Sequence, residues 1–190
     1  MADALIYIHG FNSSPASFKA RVLRAALAER APAAAFLAPA LPHSPAAAAR
    51  LLDTLAVAHP RALLVGSSLG GYYATVLAER HDLRAVLVNP AVRPYDLLDG
   101  HVGPQKNFHT GEEYEFTQAH VDELRALEVA AITPRHYLLM VETGDEVLDY
   151  KLAVERYRGA RQLVIEGGDH GFSDFAQHLD VVFEFFGQAH

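Results

Sequence analysis

The sequence predicts a three-layer α/β fold, with a mostly parallel sheet of about six strands and helices on both faces. Short apolar runs alternate with stretches of helical periodicity, and this alternation is typical of parallel strands joined by right-handed crossover helices. The chain has 190 residues, about half of them hydrophobic, which suffices for a core of ordinary size. No internal repeat or low-complexity linker divides it, so we expect a single domain over residues 1–190.

The first half of the chain alternates regularly between strands and helices. An apolar, β-rich run predicts a strand at 4–8, and Ser13, Ser14 and Pro15 are typical of a helix start, here for a helix at 16–30. The alanine-rich stretches that follow fit helix ends and interiors. The same reasoning predicts strands at 34–38, 62–66 and 85–89 and helices at 46–58 and 69–80.

The second half adds strands at 137–142 and 162–166, each followed by a helix. Asp149 is a favourable N-cap for a helix at 150–158, because an aspartate there accepts otherwise unpaired backbone N–H groups. The closing helix at 173–187 has one apolar face, which indicates core packing and not a lipid or partner site. That face consists of Phe175, Leu179, Val182, Phe183 and Phe186.

Residues 93–131 interrupt the alternation. Turn signals and mixed polar and aromatic residues occur there without clear strand periodicity. A long irregular excursion in a compact domain is usually functional or flexible. We expect a small cap above the C-terminal ends of the strands, with a helix at 119–128 that turns Val121, Leu124 and Leu127 inward. The alternative is that the segment only packs against the side of the fold.

Ser68 is the strongest candidate for a catalytic residue. It is the central residue of Gly66-Ser67-Ser68-Leu69-Gly70, which lies between an apolar run and a helical stretch. This strand–GxSxG–helix arrangement is a nucleophile elbow, whose tight turn exposes the serine hydroxyl. Gly66 and Gly70 carry no Cβ, so the start of the helix can pass close to the strand. The alternative is an ordinary glycine-rich turn.

Two later loops supply the base and the acid that a serine nucleophile needs. Asp145 and His170 each follow an apolar run, so both lie at the edge of a parallel sheet that also carries Ser68. The order serine, acid, histidine is that of α/β-hydrolases. We assign Ser68 as nucleophile, His170 as general base and then acid, and Asp145 as the residue that orients it. Asp149 and Asp169 are the alternatives for that last role.

The loop after the first strand predicts an oxyanion hole. Acyl transfer needs N–H donors aimed at the developing oxyanion, and the backbone N–H groups of Phe11 and Leu69 occupy the matching positions. His9 is expected to shape this loop and not to act as a second base. Four further residues are candidates for substrate contacts. Gly10 and Asn12 lie in this loop, Asn89 ends the strand at 85–89, and Tyr95 lies in the segment at 93–131.

Composition excludes several other classes of function. The chain has no cysteine, which removes disulfides, thiolate nucleophiles and cysteine–metal sites. A net charge of −7 with no basic cluster argues against nucleic-acid binding. The eleven histidines show no metal-ligand spacing, so no metal or cofactor is expected. No apolar stretch approaches the roughly 18 residues of a membrane span and no secretory signal is visible, so we expect a cytoplasmic protein.

Five sequence blocks resemble the YqiA family of bacterial esterases. They are HGFNSSP from His9, VGSSLGGYYAT from Val65, VNPAVRPYDLL from Val88, TGDEVLDY from Thr143 and VIEGGDHGF from Val164. The resemblance spans nearly the whole chain in order and spacing. It implies a compact α/β-hydrolase that lacks the first strands of larger members, with esterase activity on short acyl esters. It also places Ser68, Asp145 and His170 at the family's catalytic positions.

The sequence therefore favours a serine hydrolase that cleaves carboxylic esters of short to medium acyl chains through an acyl-enzyme intermediate. Acyl-CoA thioester hydrolysis is the alternative, with Arg93 and Lys106 as candidate contacts for the coenzyme A phosphates. Peptide hydrolysis is disfavoured, because nothing marks an extended substrate groove. A hypothesis of another class is a non-catalytic hydrolase fold used for binding, since fold alone never establishes activity.

Overall fold

The computed structural model describes residues 2–187, so residues 1 and 188–190 of the expected domain lie outside the described residues. Its strands are β1 (Ala4–Ile8), β2 (Ala35–Leu37), β3 (Leu63–Ser67), β4 (Arg84–Val88), β5 (Gly103–Lys106), β6 (Glu113–Phe116), β7 (Tyr137–Glu142) and β8 (Arg161–Ile165). Its α-helices are α1 (Phe18–Arg30), α2 (Pro45–Ala58), α3 (Leu69–His81), α4 (Pro94–Leu98), α5 (Gln118–Ala126), α6 (Tyr150–Arg156) and α7 (Leu179–Gly187).

The main sheet has six strands in the order β2-β1-β3-β4-β7-β8, and every neighbouring pair is parallel. The predicted α/β class and the six-stranded parallel sheet are confirmed. From β1 the chain crosses to β2 on one side and returns to β3 on the other. The strand order therefore reverses between β1 and β3, and open α/β sheets bind ligands in the crevice at such a reversal.

Alternate residues of the central strands pack on opposite faces of the sheet. On one face, Leu5 and Tyr7 of β1 join a cluster with Leu23 of α1 and Phe185 of α7. On the other, Ile6 and its neighbours pack on α2 and α3. The four inner strands are buried at nearly every position, as parallel strands covered on both faces are. The edge strands β2 and β8 are partly exposed, and β2 has only three residues.

The excursion at 93–131 contains α4, the antiparallel hairpin β5–β6 and α5. The hairpin is a correction to the sequence analysis, which found no strand there. Its strands have four residues each, and β5 begins with Gly103 and Pro104, so the sequence offers little strand propensity. The helix predicted at 119–128 is α5, with Val121 and Leu124 buried and Leu127 partly buried.

Two helix starts differ from the sequence analysis. The first helix begins at Phe18 and not at 16, because Ser17 has a non-helical ψ of 159°. The Ser17 hydroxyl donates to the Tyr7 hydroxyl at 3.1 Å and does not cap the helix. The closing helix begins at Leu179, after a short 3₁₀ turn at Phe175–His178. Its apolar face includes Phe185, which the sequence analysis left out.

Within residues 2–187, no helix combines the length and the apolar character needed to cross a bilayer.

Candidate active site

Ser68 lies in the turn between β3 and α3, and its backbone is strained. Its φ and ψ are 55° and −122°, a conformation that a residue with a side chain rarely adopts. The turn is tight because two glycines permit close approaches. A Cβ on Gly66 would lie 2.3 Å from the carbonyl oxygen of Gly70, and a Cβ on Gly70 would lie 2.0 Å from that of Ile8. This geometry is that of a nucleophile elbow.

The structure brings Ser68, His170 and Asp145 together in one chain of hydrogen bonds. His170 Nε2 lies 3.1 Å from Ser68 Oγ, and His170 Nδ1 lies 2.9 and 3.0 Å from the two oxygens of Asp145. An ionised carboxylate only accepts hydrogen bonds, so Nδ1 carries the proton and the lone pair of Nε2 faces the serine hydroxyl. An imidazole in this state can take the proton of Ser68.

The Asp145 carboxylate is held in place by its own loop. Its side chain is 2% exposed, and its Oδ1 accepts hydrogen bonds from the N–H groups of Val147 and Leu148, both at 2.8 Å. Burial raises the pKa of Asp145, but the hydrogen bonds from His170 and from these two amides favour the charged form, and the net pKa is lowered. The orienting group is therefore an anion at neutral pH.

The alternative orienting residues point elsewhere. Asp149 caps α6, where its side chain accepts from the Lys151 N–H at 3.0 Å, as predicted. Asp169 accepts from the Ser173 hydroxyl at 2.6 Å. Neither carboxylate is hydrogen-bonded to the His170 ring, whose Nδ1 faces Asp145.

The His170 loop, residues 167–171, rests on polar groups that the sequence analysis did not single out for this purpose. Asn89 donates to the carbonyls of Asp169 and His170 at 3.0 and 3.3 Å, and it accepts from the N–H of Glu142 at 3.0 Å. The Glu142 carboxylate, which is 1% exposed, accepts from the N–H of Asp169 at 2.9 Å. Glu146 accepts from the N–H of His170 at 2.9 Å.

Two buried charges lie beneath this loop. Lys19 donates from Nζ to the carbonyl of Gly171, and burial lowers the pKa of its ammonium group. Burial is also the first cause that raises the pKa of Glu142, and the neighbouring Asp174 carboxyl raises it further. A Cβ on Gly168 would lie 2.2 Å from Glu142 Cδ. The Gly167-Gly168 pair, both with positive φ, was the sequence signal for a loop that packs this closely.

The oxyanion loop, residues 9–14, follows β1 and faces the elbow. Among the residues that the structure describes, none accepts a hydrogen bond from the backbone N–H of Phe11 or of Leu69. His9 is buried and links this loop to the chain after β2: its Nδ1 lies 3.0 Å from the Gly10 carbonyl, and its Nε2 accepts from the Leu41 N–H at 3.3 Å. Burial lowers the pKa of His9, which favours the neutral ring.

An apolar cavity of about 300 Å³ opens beside Ser68. Its apolar lining comes from the oxyanion loop, the elbow, α4 and the hairpin turn: Phe11, Leu69, Ala91, Pro94, Leu97, Leu98, Phe108 and Val147. Its polar lining comprises Asn12, Ser68, His101, Gln105 and His170. A second cavity of about 390 Å³ shares four lining residues with the first: Ala91, Pro94, Leu97 and Val147. The two cavities therefore lie next to each other along α4.

The four candidate substrate contacts are placed differently. Asn12 lines the cavity, and Gly10 lies against the elbow, where a Cβ would be 3.2 Å from Ser68 Cβ. Asn89 and Tyr95 do not line this cavity, and their assignment as substrate contacts stays a prediction. The Asn89 side chain makes its hydrogen bonds to the His170 loop and to the N–H of Glu142. Tyr95 is 2% exposed, and its hydroxyl accepts from Arg93 Nε at 3.1 Å.

The segment at 93–131 combines the two alternatives considered for it. Residues 97–108 line the cavity beside Ser68, whereas α5 packs on the side of the fold. There the Tyr72 hydroxyl donates to the Leu124 carbonyl at 2.8 Å, and Glu123 accepts from the Ser44 hydroxyl and the Ala46 N–H at the start of α2.

Among residues 2–187, no three histidine, aspartate or glutamate side chains are arranged to hold a metal ion.

The fold is shared with several solved structures. A protein of Agrobacterium vitis S4 matches with a TM-score of 0.79 and 16% identity, over 98% of this chain and 88% of that chain. The mouse alpha/beta hydrolase domain-containing protein 10 matches with a TM-score of 0.69 and 15% identity, over 95% and 89%. The esterase domain of a Rhodothermus marinus protein matches with a TM-score of 0.65 and 21% identity, over 96% and 84%. These likenesses show the α/β-hydrolase fold.

A family model also matches residues 4–187. Its description is "Uncharacterised protein family (UPF0227)".

Proposed function

The chain belongs to this UPF0227 family, which is the YqiA family recognised in the sequence, and we propose that it is a serine hydrolase of carboxylic esters. One observation carries the proposal. The hydrogen-bonded chain from Asp145 through His170 ends on Ser68 Oγ, at the wall of an apolar cavity. An activated hydroxyl, a base and an orienting acid are the parts that acyl transfer to serine requires.

In the first half of the reaction, Ser68 Oγ attacks the ester carbonyl carbon while His170 Nε2 takes the hydroxyl proton. The negative oxygen of the tetrahedral intermediate accepts hydrogen bonds from the free N–H groups of Phe11 and Leu69. The imidazolium, stabilised by the Asp145 carboxylate, then gives its proton to the leaving alkoxide as the carbon–oxygen bond breaks. The products are an alcohol and an acyl-enzyme on Ser68.

In the second half, His170 takes a proton from a water that attacks the acyl-enzyme. A second tetrahedral intermediate forms, the proton returns to Ser68 Oγ, and the carboxylic acid leaves. Only the nucleophile changes between the two halves, so one pair of oxyanion donors serves both.

The cavity supports a substrate with an apolar acyl or alcohol group of short to medium length. A volume of about 300 Å³ beside the nucleophile is small, and its lining is mainly apolar. A longer chain would extend toward the second cavity, which lies beside the first along α4.

The thioesterase alternative gains no support from the cationic residues of the cap. Arg93 pairs with Asp96 at 3.0 Å, and Lys106 pairs with Glu113 at 3.4 Å. Both candidate contacts for coenzyme A phosphates thus already have acidic partners, and a phosphate would have to displace them.

The test is hydrolysis of p-nitrophenyl esters from acetate to palmitate by the wild type and by Ser68→Ala, with the neighbouring Ser67→Ala as the matched control. We expect turnover of the shorter esters, a fall of at least about 10³-fold in Ser68→Ala, and fluorophosphonate labelling at Ser68 in the wild type and in Ser67→Ala. Activity should fall in acid, because a protonated His170 accepts no proton.

A wild type that neither hydrolyses esters nor is labelled would overturn the proposal and favour a binding role for the fold. Turnover of acyl-CoA thioesters without turnover of oxygen esters would replace it with the thioesterase alternative. Labelling at Ser67 in place of Ser68 would show that the nucleophile is wrongly assigned.

A further inference from the structure

The Asn12 side chain connects the oxyanion loop to the β5–β6 hairpin. It is 7% exposed, and both ends of its amide are hydrogen-bonded within the protein. Its Nδ2 donates to Gln105 Oε1 of β5 at 3.1 Å, and its Oδ1 accepts from the Tyr114 hydroxyl of β6 at 2.7 Å. Gln105 in turn donates to the His101 carbonyl at 2.8 Å. One N–H and one carbonyl lone pair of the amide are thus engaged within the protein, and these two bonds fix its orientation.

The Tyr114 hydroxyl is suited to be a permanent donor to Asn12. Burial raises the pKa of Tyr114 to about 12, so the phenol keeps its proton over the whole range in which a histidine base works. The ring is stacked on that of His43, with centroids 3.6 Å apart, which fixes the direction of the hydroxyl.

The hairpin turn makes two more hydrogen bonds to the same loop. The Phe108 N–H donates to the carbonyl of Asn12 at 2.9 Å, and Asn107 Nδ2 donates to the carbonyl of Ser13 at 2.8 Å. Within the loop itself, the bond from the Ser13 N–H to the Gly10 carbonyl is 3.3 Å long. The contacts that fix residues 12 and 13 therefore come mainly from the hairpin.

Phe11, whose N–H is the proposed oxyanion donor, lies next to this attachment. Its ring packs edge-on against that of Phe116 of β6, with centroids 5.3 Å apart. Asn12 has a φ of 53°, the left-handed conformation that turns the chain directly after Phe11. The direction of the Phe11 N–H thus depends on a turn that the hairpin holds on its far side.

We propose that the β5–β6 hairpin holds the oxyanion hole in its working shape, and that Asn12 is the positioning residue through which it acts, with Gln105 and Tyr114 as its partners. The inference rests on the proposed function, since it concerns the N–H donor of that reaction. The β5–β6 hairpin would then hold the loop that carries the Phe11 N–H in one fixed position. Oxyanion donors stabilise the transition state only when they are already in place.

The first test variant is Asn12→Gly. Glycine adopts a φ of 53° without steric strain, so the substitution permits the same backbone conformation while it removes the side-chain bonds to Gln105 and Tyr114. The second is Tyr114→Phe, which removes a single hydroxyl. The matched control is Thr110→Val, which deletes a hairpin bond, from the Glu112 N–H to Thr110 Oγ1 at 3.2 Å, that does not reach the oxyanion loop.

The measurements are kcat, KM and the inhibition constant of an aryl boronic acid, which forms a tetrahedral adduct on the serine and mimics the oxyanion. We expect Asn12→Gly to lower kcat by about tenfold and Tyr114→Phe by about threefold, below the roughly 10²–10³ of a deleted donor. Boronate affinity should fall by the same factors, with KM within about twofold. Thr110→Val should match the wild type in all three quantities.

Unchanged kcat and boronate affinity in Tyr114→Phe and in folded Asn12→Gly would overturn the inference while leaving the esterase intact. A rise in KM at constant kcat would also overturn it, because it would make Asn12 a substrate contact. If Asn12→Gly does not fold, Tyr114→Phe decides alone. A wild type without esterase activity or Ser68 labelling would instead overturn the proposed function, and the inference with it.

Discussion

Ser68 and Phe11 follow neighbouring strands of one sheet, yet different parts of the chain hold them in place. The elbow around Ser68 is fixed by close backbone approaches that its own glycines permit, because Gly66 lets β3 and α3 touch and Gly70 lets α3 approach β1. The oxyanion loop around Phe11 is fixed by a hairpin whose contacts are 93 and 102 residues away along the chain. The nucleophile side of the site is thus a local structure on a buried sheet, and the oxyanion side depends on a partly exposed excursion.

The elbow and the oxyanion loop should therefore tolerate different substitutions. A buried, close-packed turn cannot accommodate extra atoms, whereas an excursion attached by hydrogen bonds can lose a side chain and remain folded. Substitutions in the elbow should therefore mainly lower the free energy of unfolding. Substitutions that detach the hairpin from the oxyanion loop should mainly lower kcat.

The largest expected effect is on the elbow. Gly70→Ala places a methyl group 2.0 Å from the Ile8 carbonyl oxygen, and backbone atoms on both sides prevent an easy shift. We expect the free energy of unfolding to fall by at least about 3 kcal/mol, measured by urea unfolding. Gly100→Ala in the excursion is the matched control, because no atom lies within 4 Å of its added Cβ. A small loss in Gly70→Ala would contradict the tight packing described for the elbow.

The next effect is the acid stability contributed by Asp145. Its pKa in the folded protein is below the ordinary value of about 3.9, so its charge stabilises the fold above that pH, and this contribution is lost as pH falls through the folded pKa. At pH 7, Asp145→Asn should be less stable by about 1.5–3 kcal/mol, the worth of a hydrogen bond to a charged group.

The gap between the wild type and Asp145→Asn should close as the pH is lowered below about 4. Urea unfolding at pH 7, 4 and 2.5 measures it. A gap that stays constant with pH would show that the Asp145 charge contributes nothing to the fold.

A smaller effect is expected where α5 is attached to α2. Burial raises the pKa of Glu123, but the hydrogen bonds from the Ala46 N–H and the Ser44 hydroxyl outweigh it, and the net pKa is lowered. The charged carboxylate of Glu123 is therefore stabilised at the start of α2. Glu123→Ala should lower the free energy of unfolding by about 1–2 kcal/mol and leave kcat unchanged. The exposed Glu115→Ala is the control. A fall in kcat would mean that the oxyanion loop depends on α5 as well as on the hairpin.

The smallest effect is expected at the hairpin tip. The Phe108 ring is 81% exposed and lines the cavity, but the bond to the oxyanion loop comes from its backbone N–H. Phe108→Ala should raise KM for the longer esters by about two- to fivefold, for a loss of up to about 1 kcal/mol of apolar contact, with kcat unchanged. A fall in kcat for all esters would show that the side chain also supports the loop.

The six parallel strands, and the placement of Ser68, Asp145 and His170 in loops at one edge of the sheet, could be predicted from the amino-acid sequence. These features follow from patterns within a few residues, such as apolar runs, glycines beside a serine and the Asp149 cap, and the sheet's parallel topology brings the loops together. The hydrogen-bonded geometry of the three residues agrees with the assignment, and their roles in catalysis stay a prediction.

The residues that support these loops became visible only in the folded protein. The β5–β6 hairpin has weak strand propensity and forms because its strands pair with each other and bond to the oxyanion loop. Glu142 and Lys19 look like an ordinary strand end and helix residue in sequence, and only folding buries them under the His170 loop. Asn89 and Tyr95 were candidates for substrate contacts, and the structure shows them hydrogen-bonded within the protein. Contacts between residues far apart in the chain leave no periodic signal, since either partner alone is compatible with many environments.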